Sequence, residues 1–352
     1  MLLRAVRQNV LFVYMKRFKC LLFALLLFFT ACKSTKEECA FQPETSSIKV
    51  DLKIQSLEDS VLSIESEQQL INFFSHHTVM RDVFFNRPGY PSDSVFVNEL
   101  FHRFTSPAFD TVLIETKKVF GDGSELKKEF TQAFTNLKYY YPQIQIPRIE
   151  TVVTGLESDL YVSDSLIIIG LDYFLGSKAK YRPNMYEYML QRYTKDFVVP
   201  SAMLLYGIDS RINLINPTDK SVLADMIAYG KAYYFAKQML PCVPDSVFIG
   251  YTAEEIEGAK ENQDIIWKRL VQDEVFFNTT QQIKQKYISE RPKTIEVGDQ
   301  CPGRIGMWVG WQIVDAFVKK NSVKKNPKTS LPSLMKLTDA QQIFKGSKYR
   351  PE

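Results

Sequence analysis

The sequence predicts an α+β fold, mostly helical with a small sheet. Two patterns support this: apolar residues recur at three- and four-residue offsets over most of the chain, and strand-like periods are confined to Val50–Gln55 and the region 149–171. A third observation narrows the class, because no fixed-period repeat is visible and no Gly-rich phosphate loop follows a strand.

The chain opens with an export signal. Lys16, Arg17 and Lys19 precede the apolar run Leu21 to Phe29, and small Ala31 stands before Cys32, the order of a bacterial lipoprotein signal. The run is shorter than the roughly 20 residues a span needs. Cleavage after residue 31 and lipidation of Cys32, with palmitate among the expected acyl groups, are favoured over an uncleaved short anchor. Residues 32–47 are polar, with Pro43, Ser46 and Ser47, and read as a flexible tether.

Residues 48–352 are expected to form the globular α+β domain, with two lobes meeting near 215–220 as one arrangement. Val50, Leu52 and Ile54 alternate with polar residues as in a half-buried strand. Helices are expected at Leu70–His76, Ser94–Arg103 and Glu125–Tyr141. Strands follow at Ile149–Val153, Leu160–Val162 and Ser165–Leu171, separated by Gly155 and Ser163-Asp164. Thereafter the pattern is helical again: Asn184–Tyr193, Pro200–Tyr206, Val222–Met239, Ala253–Val271 and Arg304–Lys319. Thr252 and Glu255 form a capping box at one start.

Composition excludes some functions. Hydrophobic residues make up 45% of the 352, ample for a core. Removing the signal takes away Arg4, Arg7, Lys16, Arg17 and Lys19 and no acidic residue, so the formal charge falls from +4 to −1. Nucleic acid is therefore not an expected partner. Of the five cysteines, Cys20 leaves with the signal and Cys32 takes lipid. Cys242 and Cys301, each beside proline, are the candidate disulfide, with Cys39 left over.

No catalytic constellation is evident, so no enzyme and no cofactor are expected. His76, His77 and His102 lie early in the chain, none in the His-Glu-x-x-His spacing that places two imidazoles and a glutamate on one helix face. His76 and His77 read as a solvent-facing helix end. No metal site is expected. Three residues are candidates for a groove or ion pair. Lys231 rises from an apolar helix face and either snorkels, pairs with a buried carboxylate or faces a ligand. Asn262 reads as an inter-helix hydrogen-bonding group. Arg304 stands near a helix start, where the dipole disfavours a cation, so a carboxylate or bound anion is expected beside it. Gly303, Gly306 and Gly310 are expected to let another backbone approach. Tyr139–Tyr141 can be read as a sugar-stacking platform, although core packing is the plainer role.

Ordered blocks along the chain resemble the GldB family of gliding-motility lipoproteins of the Bacteroidetes. They include Lys138-Tyr139-Tyr140-Tyr141-Pro142, Gly170-Leu171-Asp172-Tyr173-Phe174-Leu175-Gly176, Met226-Ile227 through Tyr229-Gly230-Lys231, Pro302-Gly303-Arg304 through Gly310-Trp311-Gln312, and Ser347-Lys348-Tyr349-Arg350-Pro351. The resemblance implies an envelope protein anchored to a membrane outside the cytoplasm, with protein partners in the motility or associated secretion machinery and no established chemical step. The layout is also similar to zincin-type metallopeptidases, as a degenerate relative: the central helix carries Ile227, Ala228 and Lys231 and no histidine. That likeness implies a pseudoenzyme, or alternatively a divergent peptidase-like or ligand-binding module holding a peptide or cell-wall fragment.

Overall fold

The run Leu166-Ile167-Ile168-Ile169-Gly170 is buried at every position, as expected of a strand covered on both faces. The computed structural model that shows this describes Cys39, residues 43–321 and residues 327–351. The export signal and Cys32 lie outside the described residues.

Four strands make one mixed sheet: β1 (Ile54–Ser56), β2 (Arg148–Val152), β3 (Leu160–Val162) and β4 (Leu166–Gly170), in the order β1-β2-β4-β3. β1, β2 and β4 run parallel, with Ile54 opposite Ile149 and Ile149 opposite Ile167. β3 returns antiparallel on β4 through the turn at Ser163 to Ser165. The first expected strand shortens to its last part: paired residues begin at Ile54, with the Lys53 carbonyl accepting the first bond from β2.

Helices cover both faces. Between β1 and β2 lie α1 (Glu67–His76), α2 (Asp93–Phe104), α3 (Pro107–Phe120) and α4 (Ser124–Tyr140). Ser66, Ser92 and Ser106 cap the first three through their side chains, and Pro107 at the first position of α3 sacrifices no needed N–H. Phe74, Phe96 and Phe109 from this layer meet Leu166 and Ile168 on one face of the sheet.

The opposite face, with Ile149, Ile167 and Ile169, packs against α4 and against α5 (Val198–Ile208) and α6 (Val222–Met239). Next come α7 (Ala253–Glu261), α8 (Gln263–Gln272), α9 (Ile305–Asn321), α10 (Pro327–Met335) and α11 (Ala340–Ser347). The single helix expected over Ala253–Val271 is two, because Asn262 leaves helical geometry and turns its side-chain amide onto the Gly258 carbonyl at 2.8 Å. The capping box at Thr252 and Glu255 is formed. Of the expected helix Asn184–Tyr193, only Glu187–Leu190 is helical.

The glycines explain how closely α6 and α9 approach. A Cβ on Gly310 would stand 1.9 Å from the Met226 carbonyl oxygen, and one on Gly230 would stand 2.3 Å from that of Gly310. Gly303 and Gly306 serve other neighbours, Arg291 and the Tyr287–Ile288 turn. Backbone approach is thus the role of all three, though they do not share one partner.

Candidate functional site

The three residues singled out for a groove have separate surroundings. Lys231 is 1% exposed, and its ammonium donates to the carbonyls of Leu214 at 2.7 Å, Leu337 at 2.7 Å and Met335 at 3.4 Å. It neither snorkels nor pairs with a carboxylate among the described residues. Two chain segments, at Leu214 and at Met335–Leu337, converge on it, so its carbonyl partners replace the counterion expected from its apolar setting. Burial pushes its pKa down to about 8.

Arg304 meets the carboxylate anticipated for it. Its guanidinium donates to the Ile249 carbonyl at 2.7 Å, lies 3.6 Å from Glu290 and sits over the Tyr251 ring at 5.8 Å. Arg192 approaches the same Glu290 at 3.0 Å. The Arg304 backbone has φ of 59°, a left-handed turn that the bond to Ile249 helps to hold at the entry to α9. Both arginines share one acid, an ion-pair arrangement that fastens the 290–304 segment to the Ile249 turn.

Asn262 makes an intrahelical bond in place of the inter-helix one expected, yet it does line a cleft. About 430 Å³ lies between α7–α8 and residues 297–302, bounded by Asn262, Ile266, Asp299 and Cys301. Burial drives the Cys301 thiol up to about 12, so it stays protonated and is a poor nucleophile near neutrality.

The candidate disulfide is corrected. Cys242 bonds Cys39, and Cys301 is free. Cys242 follows the end of α6, whereas Cys301 sits in the turn whose carbonyl accepts the Thr294 N–H. Proline neighbours mark both as turn residues, but they carry no information on which turns meet. The bridge also ties the polar stretch read as a tether to the domain at Cys39.

His77 is corrected as well. It is not solvent-facing: it caps α1, its side chain is 12% exposed, and Nδ1 lies 3.4 Å from the Glu150 carboxylate on β2. His76 is the exposed one. Glu150 was hidden from sequence reasoning, because a carboxylate in a strand of alternating period reads as solvent-facing and its partner lies on a distant helix end.

A sizeable cleft bears on the tyrosine run. A cleft of about 620 Å³ opens between the end of α4, the β3–β4 turn and the end of α5, with Tyr140, Tyr141, Ile144 and Tyr206 among its walls. Arg211 stands at its rim, pairing with Asp164 at 2.6 Å and with Asp209. Tyr206 donates its hydroxyl to the Ser163 carbonyl and Tyr140 to Gln238, whereas the Tyr141 hydroxyl has no hydrogen-bond partner among the described residues. Burial raises the Tyr141 phenol well above its usual range, so it is a neutral donor. Aromatic walls, a free hydroxyl and a polar rim can hold a ligand, and no histidine lies in this lining to serve as a base. Among the described residues, no group of three or more His, Cys, Asp or Glu is placed to hold a metal ion.

A family model described as gliding motility protein GldB matches residues 38–351. The chain belongs to that family. No curated protein and no solved structure gives a match. Membership makes this a gliding motility-associated protein of a lipoprotein family, which points to the cell envelope. No helix among the described residues is long and apolar enough to cross a membrane. The blocks that resemble GldB now have places: Met226–Lys231 is the part of α6 that meets Gly310, and Asp172 of the Gly170–Gly176 block is fully buried. Its carboxylate accepts the N–H groups of Thr154 at 2.9 Å and Leu156 at 2.6 Å. Burial raises the Asp172 pKa while these bonds oppose the rise.

Proposed function

We propose that this GldB-family chain is a lipid-anchored, non-catalytic component of the gliding motility or associated secretion machinery, whose folded domain binds a protein partner. The match over residues 38–351 carries the reading. Two features of the site support it. The buried charges, Lys231, Arg304 and Asp172, are taken up by carbonyls, ion pairs and backbone N–H groups, which is the use of polar groups for holding a shape. Cys301, the free thiol, is protonated near neutrality.

The anchor is Cys32, and six residues separate it from the bridged Cys39, so the spacer between lipid and domain is short. Deletion of the gene should abolish surface spreading and reduce secretion of outer-surface proteins, restored by the wild-type gene. Unchanged spreading and secretion would reject the motility reading. Replacing Cys32 with Ala should release the protein from membranes into the soluble fraction; undiminished membrane association would remove the anchor.

A second reading rests on the aromatic cleft, with Tyr141 and Arg211 holding a peptide or cell-wall fragment. Muropeptide titration followed by calorimetry should then show binding that weakens at least fivefold in Tyr141→Phe. Equal heats in both proteins, or none, dismiss it.

A further inference from the structure

β1 is an edge strand with one neighbour. The Leu57 N–H donates to the Thr151 carbonyl and the Lys53 carbonyl accepts from Ile149, so the odd-numbered residues of this strand face β2. The N–H and C=O groups of Ile54 and Ser56 therefore point outward, and no strand among the described residues pairs with them.

Over the sheet face that carries Ile54, Ser56 and their neighbour Thr151 on β2 lies a cleft of about 490 Å³, with the Gly121–Ser124 turn between α3 and α4 in its lining. Ile54 and Ser56 line it, as do the apolar side chains of Phe120 and Leu126. A strand added in the sheet plane would pair with the outward backbone of β1, and its alternate side chains would reach the cleft on this face. Water alone can solvate an exposed edge, so a second observation has to point to a ligand.

Glu58 supplies it. This residue is 6% exposed, opens a short helix (Glu58–Leu62) with only Leu57 between it and the end of β1, and lines the same cleft. Its Oε2 accepts the Ser56 hydroxyl, while Oε1 is buried and has no hydrogen-bond partner among the described residues. A buried carboxylate oxygen without a donor is costly and rare. The other charges of the lining nearly cancel: Asp59 pairs with Lys117 at 2.7 Å, and Asp122 and Lys127 are exposed. One negative charge is left, and Glu58 carries the unmet acceptor.

We propose that the β1 edge is a docking site for an extended segment of a protein partner, which adds a strand beside Ile54–Ser56 and places a Lys or Arg side chain against Glu58. The backbone supplies affinity and the carboxylate supplies selectivity. With three residues in β1, the paired stretch is short, about five residues of the incoming chain. This site deepens the partner-binding reading given above and rests on it for its biological meaning.

The test is selection of a random 12-residue peptide display library on the full-length protein in detergent, followed by affinity measurement of the enriched peptides. Enriched peptides should carry a Lys or Arg within a run of β-forming residues and should slow amide hydrogen exchange at Ile54 and Ser56. Ser56→Pro, which removes an outward N–H, should weaken them at least tenfold, and Glu58→Gln at least fivefold. Ile54→Pro serves as a second edge block should Ser56→Pro melt early, because Ile54 lacks the bond to Glu58. Failure to enrich any peptide, or equal affinity in the edge and Glu58 variants, overturns the site. Spreading that persists in edge-blocked cells, with peptide binding lost, rejects the partner reading and leaves the site standing.

Discussion

Lys231 on α6 is buried and Asp315 on α9 is half-buried, and their environments treat them differently. Burial holds Lys231 at about 8, below the free value of about 10.4. Between these values the unfolded chain binds the extra proton, so this residue makes the protein more stable as pH rises from about 8. Its three carbonyl acceptors work against any easy replacement. Lys231→Met should lose about 1–3 kcal/mol in urea unfolding at pH 7, the orphaned carbonyls outweighing relief of the buried ammonium, and its deficit should widen by pH 9.5. An unchanged midpoint would show that these three bonds do not stabilise the fold. Asp315 has the opposite sign: burial raises its pKa to about 7, with Lys319 and Lys237 opposing the rise. Since the folded value exceeds the unfolded one, its contribution is complete below about pH 4 and is lost as pH climbs through 7. Asp315→Asn should flatten that part of the stability profile and raise stability at pH 8 by about 1–3 kcal/mol, measured against wild type at pH 5 and pH 8.

Between elements, the α6–α9 contact is where spacing matters most. A methyl on Gly310 would overlap the Met226 carbonyl at 1.9 Å, whereas one on Gly258 in α7 meets nothing within 4 Å. Gly310→Ala should therefore cost more than about 3 kcal/mol, as overpacking against rigid backbone does, and Gly258→Ala should be neutral or gain up to about 1 kcal/mol from helix propensity. Comparable melting temperatures for the two variants would refute the contact. This close approach was legible in the sequence because glycine is disfavoured within a helix and needs a reason to be there. β4 was legible from its unbroken apolar run, and Val222–Met239 from its period. Asn262 was not, since an asparagine flanked by apolar offsets reads the same whether it bonds across to another helix or back to Gly258. Nor was the Lys231 environment, because its three carbonyls arrive from Leu214, Met335 and Leu337, segments whose convergence no local pattern records. His77 with Glu150 is invisible for the same reason: the partners lie at the end of α1 and on β2, separated in sequence by α2, α3 and α4.

Across the whole molecule, the Cys39–Cys242 bridge is the longest-range covalent constraint, closing a sequence separation of 203 residues. A loop of that size has a chain-entropy ceiling of roughly 5 kcal/mol, reached only where the bridged ends are ordered without it. At one end Cys242 follows α6 in the main core, close to Asn136, whose amide donates to the Met239 carbonyl at 2.8 Å. At the other, Cys39 precedes a polar stretch in which Pro43 is buried, and Val50 and Leu52 are the residues that pack with the domain's apolar core. Opening the bridge should therefore release the N-terminal stretch first and leave the sheet intact. Cys242→Ser is expected to lose about 2–4 kcal/mol in oxidising buffer and to become cleavable by trypsin at Lys49 and Lys53, with the rest of the domain resistant. Cys301→Ser, by contrast, should change stability by less than about 1 kcal/mol, because its sulfur is in no bridge and its hydroxyl replacement still has the Pro302 carbonyl to bond. Mass spectrometry of an unreduced digest gives the direct check: a linked pair of peptides containing Cys39 and Cys242 is required, and a Cys242–Cys301 pair would contradict the fold at this end of α6.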